Sequence, residues 1–177
     1  MTNLSSKSIL NCRICNFKLT KVLYLGKQPP ANSLRSNKNK LIKPIKLELC
    51  RCNNCRTLQL SESVSKKYLF ENYVWVTGTA KTTQVFSKKF CELALKRLKT
   101  KSRYILEIAS NDGTFLKPFK DKKFKIIGID PAKNISKIAN KNKIKTINEF
   151  FNEKSSKKIL KNYGYANFIF ARNVIPH

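Results

Sequence analysis

The sequence predicts an α/β protein: an incomplete Rossmann-like parallel sheet preceded by a small β-rich module built on four cysteines. Three observations carry this. The stretch Tyr104-Ile-Leu-Glu-Ile-Ala-Ser-Asn-Asp-Gly-Thr-Phe-Leu116 reads as an apolar strand with a carboxylate near its tip, then a tight turn, then a helix start. The stretch Lys125-Ile-Ile-Gly-Ile-Asp130 reads as a second strand, again ending in a carboxylate. Cys12-Arg-Ile-Cys15 and Cys52-Asn-Asn-Cys55 form two CxxC pairs ahead of both. Strand, turn, helix and acidic-tipped strand make one half of a nucleotide-binding unit.

The elements divide into residues 1–65, a metal-binding module; 66–100, an aromatic linker and a helix; and 101–177, the start of the α/β unit. In the module, a CxxC turn brings two sulfurs within reach of one ion, and two such turns complete a tetrahedral site. Cys12, Cys15, Cys52 and Cys55 are therefore assigned to structural Zn2+, with no open coordination position for chemistry. Cys50 and Cys91 are read as small apolar core residues. Phe17 to Leu25 reads as a strand ended by Gly26-Lys-Gln-Pro-Pro30, and Lys46 to Leu60 as a hairpin around the second CxxC. The loop from Ala31 to Lys43 between them is polar. The run Tyr68 to Thr79 is aromatic and β-branched, which predicts a strand with Tyr73 and Trp75 on one face. Thr82 to Lys99 carries Phe86, Phe90, Leu93, Ala94 and Leu98 at helical spacing, predicting an amphipathic helix packed on the sheet that follows. Beyond it come strands at Tyr104–Ile108, Phe124–Ile129, Ile144–Ile147 and Ala166–Ala171. They alternate with helices starting near Thr114, over Asn134–Asn142 and over Lys154–Asn162.

The turn chemistry selects a ligand class. A dinucleotide site uses several glycines so that backbone N–H groups can approach a pyrophosphate. This turn has Gly113 alone and adds Glu107 and Asp112, which repel phosphate. It suits a ligand with hydroxyls and a cationic group, and S-adenosyl-L-methionine is such a ligand. Asp130 follows Glu107 at close to the spacing of roughly 20 residues at which a second-strand acid accepts ribose hydroxyls. An NAD site is the weaker alternative, and an ordinary βαβ unit with acidic loops the blander one.

Lys and Arg total 37 against 10 Asp and Glu, for a formal charge of +27. Such charge invites a nucleic-acid reading. The excess is mostly lysine spread along the whole chain beside Asn and Ile, with no compact arginine patch, so nucleic-acid binding is not favoured as the main function. There is no apolar run long enough to span a membrane, and the first residues lack a signal peptide's apolar core. A soluble, cytoplasmic protein is expected. The sheet expected of such a fold has more strands than the four read here, so the chain reads as an N-terminal fragment of something longer.

Taken in order, the motifs resemble the zinc-containing, S-adenosylmethionine-dependent C-methyltransferases that act on nucleotide-linked deoxysugars. The matching segments are Cys12/Cys15, Leu25–Ser33, Cys52/Cys55 with Leu58-Gln-Leu60, and Tyr73–Gly78. They continue through Leu106–Gly113, Gly128–Ala132, Glu149-Phe-Phe151 and Ala171-Arg-Asn-Val-Ile-Pro-His177. The resemblance implies a class I methyltransferase sheet and methylation of a 4-keto sugar through an enolate. It places the cofactor on Glu107, Ser110, Asn111, Asp112, Gly113 and Asp130, with Glu149 and Phe150 near the adenine and Asn173 alongside. It puts His177 and Tyr73 in the catalytic pocket. Trp75 stands where a tyrosine is usual, and the family's principal base, a histidine in a Glu-His pair, would lie beyond residue 177. An RNA methyltransferase with an N-terminal zinc module is the alternative reading.

Overall fold

The computed structural model describes residues 5–34, 42–98 and 104–175. The chain forms two compact units, Met1–Phe70 and Glu71–His177.

The first unit is built from short antiparallel strands. β1 (Ser6–Ser8) pairs with β5 (Glu62–Val64), and β2 (Leu19–Gln28), β3 (Ile45–Cys52) and β4 (Leu58–Leu60) form a three-stranded sheet in the order β2-β3-β4. A short helix, α1 (Lys66–Phe70), closes the unit. Gly26 does not end β2 as the sequence suggests. The strand runs on to Gln28 through a register shift between Tyr24 and Lys27, where Gly26 takes φ 76°. Glycine adopts that left-handed conformation without a Cβ penalty, so it serves a bulge rather than a break. On β3 the period-two alternation puts Glu48, Cys50 and Cys52 on one buried face. Glu48 is tolerated there because Lys21 and Lys46 reach it at 2.7 and 3.0 Å. The Lys21 contact is foremost in pulling its carboxyl down to about 2.

The second unit is a parallel four-stranded sheet with helices on both faces. Its strands are β6 (Tyr104–Ile108), β7 (Lys125–Ile129), β8 (Thr146–Ile147) and β9 (Phe168–Ala171), in the order β8-β7-β6-β9. The helices are α2 (Lys81–Arg97), α3 (Lys117–Asp121), α4 (Lys133–Lys141) and α5 (Glu153–Tyr163). Near-continuous apolar strands such as Tyr-Ile-Leu are what a sheet covered on both sides requires. Ile105, Ile126 and Phe170 pack with Cys91 and Ala94 of α2, Phe119 of α3 and Ala139 of α4. Leu106, Ile127 and Ile129 pack with Ile159 of α5 on the opposite face. The order reverses between β6 and β9, so the topological switch point lies at their C-terminal ends, where open α/β sheets bind ligands.

Two further expectations are corrected. The buried stripe of α2 is Ser87, Cys91 and Ala94 with Phe90 beside them, while Leu93 and Phe86 are about half exposed. Ser87 and Cys91 are small enough to bring the helix close to Phe115 and Phe119, which supply the bulk. The aromatic run is not a strand: residues 71–76 are irregular and Thr77–Thr79 is a single 3-10 turn. Among the described residues no strand pairs with it, and asparagine side chains take the place of one. Asn134 accepts from Tyr73 N at 3.0 Å and donates to Tyr73 O at 2.7 Å. Asn111 accepts from Thr77 N at 2.9 Å and donates to Trp75 O at 3.0 Å. Each carboxamide thus satisfies one backbone donor and one acceptor, the pair a neighbouring strand would satisfy.

Candidate metal centre and cofactor site

The metal centre consists of two turns of one design. Cys12 N donates to Phe17 O at 2.8 Å and Cys52 N donates to Thr57 O at 2.9 Å, the same offset in both. The residues after the second cysteines, Asn16 and Arg56, take φ 58° and 64° to reverse the chain. Ile14 N and Asn54 N each point at the sulfur two residues back, at 3.4 Å. The sulfurs of Cys12, Cys15, Cys52 and Cys55 all lie within 4.8 Å of one another, with Cys12–Cys55 at 3.5 Å and Cys15–Cys52 at 3.4 Å. A tetrahedral zinc with Zn–S bonds of about 2.3 Å needs sulfurs about 3.8 Å apart, so the donor set fits the ion with sub-ångström adjustment. Without a cation the cluster is electrostatically frustrated. Burial pushes the Cys52 thiol up to about 11, while the neighbouring Thr57 hydroxyl draws Cys55 down to about 6. A dication removes that conflict by holding all four as thiolates. Cys50 and Cys91 stand apart as buried free thiols.

At the C-terminal ends of β6 and β7, Glu107, Ser110, Asp112 and Asp130 are all buried. Asp130 caps the turn: its two carboxylate oxygens accept from Asn111 N and Ala132 N, each at 2.8 Å. One lone pair per oxygen is left for further donors such as a pair of hydroxyls. Burial raises its pKa, and those two N–H groups oppose the rise. Asp112 accepts from Thr114 N, from the Thr114 hydroxyl and from Gly78 N. Asn111 and Asp112 therefore latch the segment 75–78 onto the turn, and their side chains are engaged within the protein. Gly113, at φ 80°, lies against Ile144; a Cβ there would sit 2.9 Å from Ile144 Cβ. Gly128 of β7 lies equally tight beneath Ser110.

Two buried polar atoms in this group lack a hydrogen-bond partner among the described residues: Glu107 Oε2 and Ser110 Oγ. Buried polar atoms are rarely left so without a ligand or water to satisfy them. Glu107 is 2% exposed, and burial is the foremost cause that drives its pKa well above the usual carboxylate range. Arg172, which follows β9, opposes that rise from 3.7 Å. Sequence reasoning did not single out Arg172. The available signals were its place directly after the strand at the switch point and within the segment Ala171–His177.

The other expected site residues are more dispersed. Glu149 is ion-paired with Lys158, and Phe150 O accepts from the Asn152 carboxamide and the Ser155 hydroxyl at the start of α5. Asn148 ties this loop to β7 by donating to Asp130 O and Pro131 O. Tyr73 is half-buried beside Asn134, and Asn173 is exposed at φ 53°. His177 lies outside the described residues. A cavity of about 570 Å³ is lined by Gly78, Ser87, Asp112, Thr114, Lys117 and Ile144 among others, so it sits beside α2 and α3 rather than over Asp130. No helix among the described residues is long and apolar enough to cross a membrane.

Comparison with known proteins agrees with the cysteine geometry first. Residues 12–70 match the family model Methyltransf_13, described as "Putative zinc binding domain". This segment holds all four cysteines of the metal centre. Over 177 residues the chain is 25% identical to the C-methyltransferase NovU of Streptomyces niveus, covering 97% of this chain and 42% of that protein. The chain therefore spans less than half the length of the curated relative it matches. Among solved structures, a SAM-dependent methyltransferase from Archaeoglobus fulgidus matches 45% of this chain and 33% of its own, at 20% identity and a TM-score of 0.34. The plantazolicin methyltransferase BpumL, in complex with SAH, matches 40% of this chain and 31% of its own, at 23% identity and a TM-score of 0.33.

Proposed function

We propose that the protein is an S-adenosylmethionine-dependent C-methyltransferase acting on a nucleotide-linked 4-keto-deoxysugar. The observation that carries the cofactor assignment is the buried acidic group at the strand tips, with Glu107 Oε2 and Ser110 Oγ still lacking partners. Carboxylates at that depth accept a polyhydroxylated, cationic ligand and exclude a polyphosphate. The bound cofactor would supply an electrophilic methyl group on a sulfonium.

In this reading Asp130 uses its two remaining lone pairs for the ribose hydroxyls. Glu107 and Ser110 face the amino-acid end, and Gly113 lets the turn approach. Glu149 and Phe150 border the adenine. Asn111 and Asp112 hold the turn and bind the segment 75–78 to it, which positions Tyr73 and Trp75 as a wall toward the substrate. Asn173, Tyr73 and His177 complete the pocket, the last two in catalytic roles. The sugar assignment rests on the ordered motif set, and the likeness to the C-methyltransferase NovU along 97% of the chain supports transfer to carbon. A ketone acidifies the neighbouring C–H, a base near neutral pKa removes the proton, and donors placed at the oxygen stabilise the enolate. The zinc centre has no open position in this scheme and serves to hold its own unit folded.

The test, made on the full-length protein because the 177 residues alone are expected to be inactive, is methyl transfer and solvent deuterium exchange next to the ketone over a panel of nucleotide-linked keto-sugars, with tRNA and rRNA fragments as a parallel arm. Transfer to carbon of a keto-sugar with exchange is expected. Transfer to RNA, or no transfer and no exchange across the sugar panel, overturns the sugar assignment.

A further inference from the structure

The tip of the sheet holds an opposed pair of charges, each carrying an unsatisfied atom. Glu107 on β6 and Arg172 after β9 flank the switch point, with Ile108 and Ala171 in register beside them. Their closest approach, Arg172 Nε to Glu107 Oε1, is 3.7 Å, which is an ion pair but too long for a hydrogen bond. Arg172 Nε and Glu107 Oε2 are both buried without a hydrogen-bond partner among the described residues. The guanidinium carbon stacks 3.0 Å from the centroid of Phe115, which is itself held by Phe86 and Phe90 of α2. A stacked guanidinium keeps its edge donors free in the ring plane. A cation and an anion this close, both desolvated, ordinarily close up into a bidentate pair. This pair stays apart, and its spare capacity is one donor edge beside one acceptor.

Building on the cofactor reading above, we propose that Arg172 and Glu107 together read the α-amino-acid end of S-adenosylmethionine, Arg172 binding its carboxylate and Glu107 its ammonium. A zwitterionic end group offers one anion and one cation two bonds apart, which matches an opposed pair a few ångströms apart. Binding fills both orphaned atoms and leaves the site's net charge unchanged. A lone carboxylate ligand or a lone amine would fill one and strand the other. Burial opposes charge on both protein groups, and each favours the charged form of the other, so a ligand that brings both charges relieves what burial opposes.

The test is calorimetric binding to the intact, zinc-loaded protein. Three probes separate the end group from the nucleoside: S-adenosylhomocysteine, its decarboxylated analogue, and 5′-methylthioadenosine, which lacks the amino-acid end. For the native protein, removing the carboxylate from the probe should weaken binding about 10- to 100-fold, the range expected for a charged hydrogen bond. Arg172→Gln should erase that preference while holding methylthioadenosine within about threefold; Arg172→Lys should restore part of it. The proposal is overturned if the native protein binds S-adenosylhomocysteine and its decarboxylated analogue equally. It is also overturned if Arg172→Gln weakens all three probes alike, which is the mark of a merely structural arginine. A native protein that binds none of the three overturns the cofactor reading itself, and this proposal with it. The native-protein comparison needs no variant to fold.

Discussion

Gly128→Ala tests how the turn is seated on the sheet. Gly128 lies in β7 directly under Ser110, and its backbone has no positive φ, so the glycine is there for space. A Cβ at this position would lie 2.8 Å from Ser110 Cβ, closer still to Ser110 Oγ, and 3.0 Å from Thr146 Oγ1. None of these is the end of a long flexible side chain, so relief requires the turn to lift by several tenths of an ångström. Overpacking of this kind costs about 1–3 kcal/mol. Alanine recovers about 0.4–1 kcal/mol by restricting the unfolded chain, leaving a net loss of about 1–2 kcal/mol. For a unit of roughly a hundred residues that is a fall in Tm of about 4–15 °C. Calorimetric or near-UV circular dichroism melting of the intact protein measures it. The specific claim is that the loss comes from Ser110. In a Ser110→Gly background, which removes both the Cβ and the Oγ contacts, the penalty of Gly128→Ala should shrink to the milder Thr146 contact. A Gly128→Ala protein that melts within about 1 °C of the native one would refute the reasoning, as would an equal penalty in both backgrounds.

Three further outcomes are expected. Metal analysis should find zinc bound to the native protein and to Cys50→Ser but not to Cys52→Ser, and chelation should unfold the first unit, because metal binding in such modules is worth on the order of 10–16 kcal/mol. Zinc retained by Cys52→Ser would refute the four-thiolate site. Glu107→Gln should raise Tm at pH 8 more than at pH 5.5. The native carboxyl has a folded pKa above its unfolded value of about 4.3, so ionisation costs stability as pH rises, and glutamine has no such cost; a gain that shrinks with rising pH would contradict the burial assignment. Hydrogen exchange should speed at Thr77 in Asn111→Gly and at Tyr73 in Asn134→Ala, each by a factor of about 5 or more for the loss of one hydrogen bond; unchanged exchange would show that the carboxamides do not substitute for a strand.

The strands of the second unit were legible because a sheet covered on both faces must be written in uninterrupted apolar residues. Tyr104–Ile108 matches its predicted bounds, and β7 and β9 are shorter by one and two residues. The two CxxC turns were legible because the metal demands the spacing. What was not legible depended on partners distant in sequence. The segment Tyr73–Val76 has the composition of a strand, yet it is held by Asn134 and Asn111, and nothing local in Tyr-Val-Trp-Val reports that. Of the stripe expected on α2, Ala94 and Phe90 do face the core, but Phe115 and Phe119 already fill the space expected of Phe86 and Leu93, so the helix turns Ser87 and Cys91 inward. Arg172 stands inside the matching segment Ala171–His177 but received no role for a related reason: in a chain with 37 Lys and Arg, one more arginine carries little information until the topology sets it beside Glu107.

The same imbalance makes the acidic residues the informative ones. With 10 Asp and Glu against 37 Lys and Arg, cations far outnumber the carboxylates they can pair with. Glu153 and Glu149 pair with Lys157 and Lys158. Even buried Glu48 is met by two lysines. Glu107, Asp112 and Asp130 are different: no lysine reaches them among the described ion pairs, and the single cation near Glu107 stops short of a hydrogen bond. Three carboxylates kept from a large surplus of lysine are held by local structure, at the strand ends and the turn. Burying them costs stability that a purely structural turn would not require. The unmet acceptor at Glu107 and the unmet donor at Arg172 say where that cost is returned: to a ligand that brings its own charges of both signs.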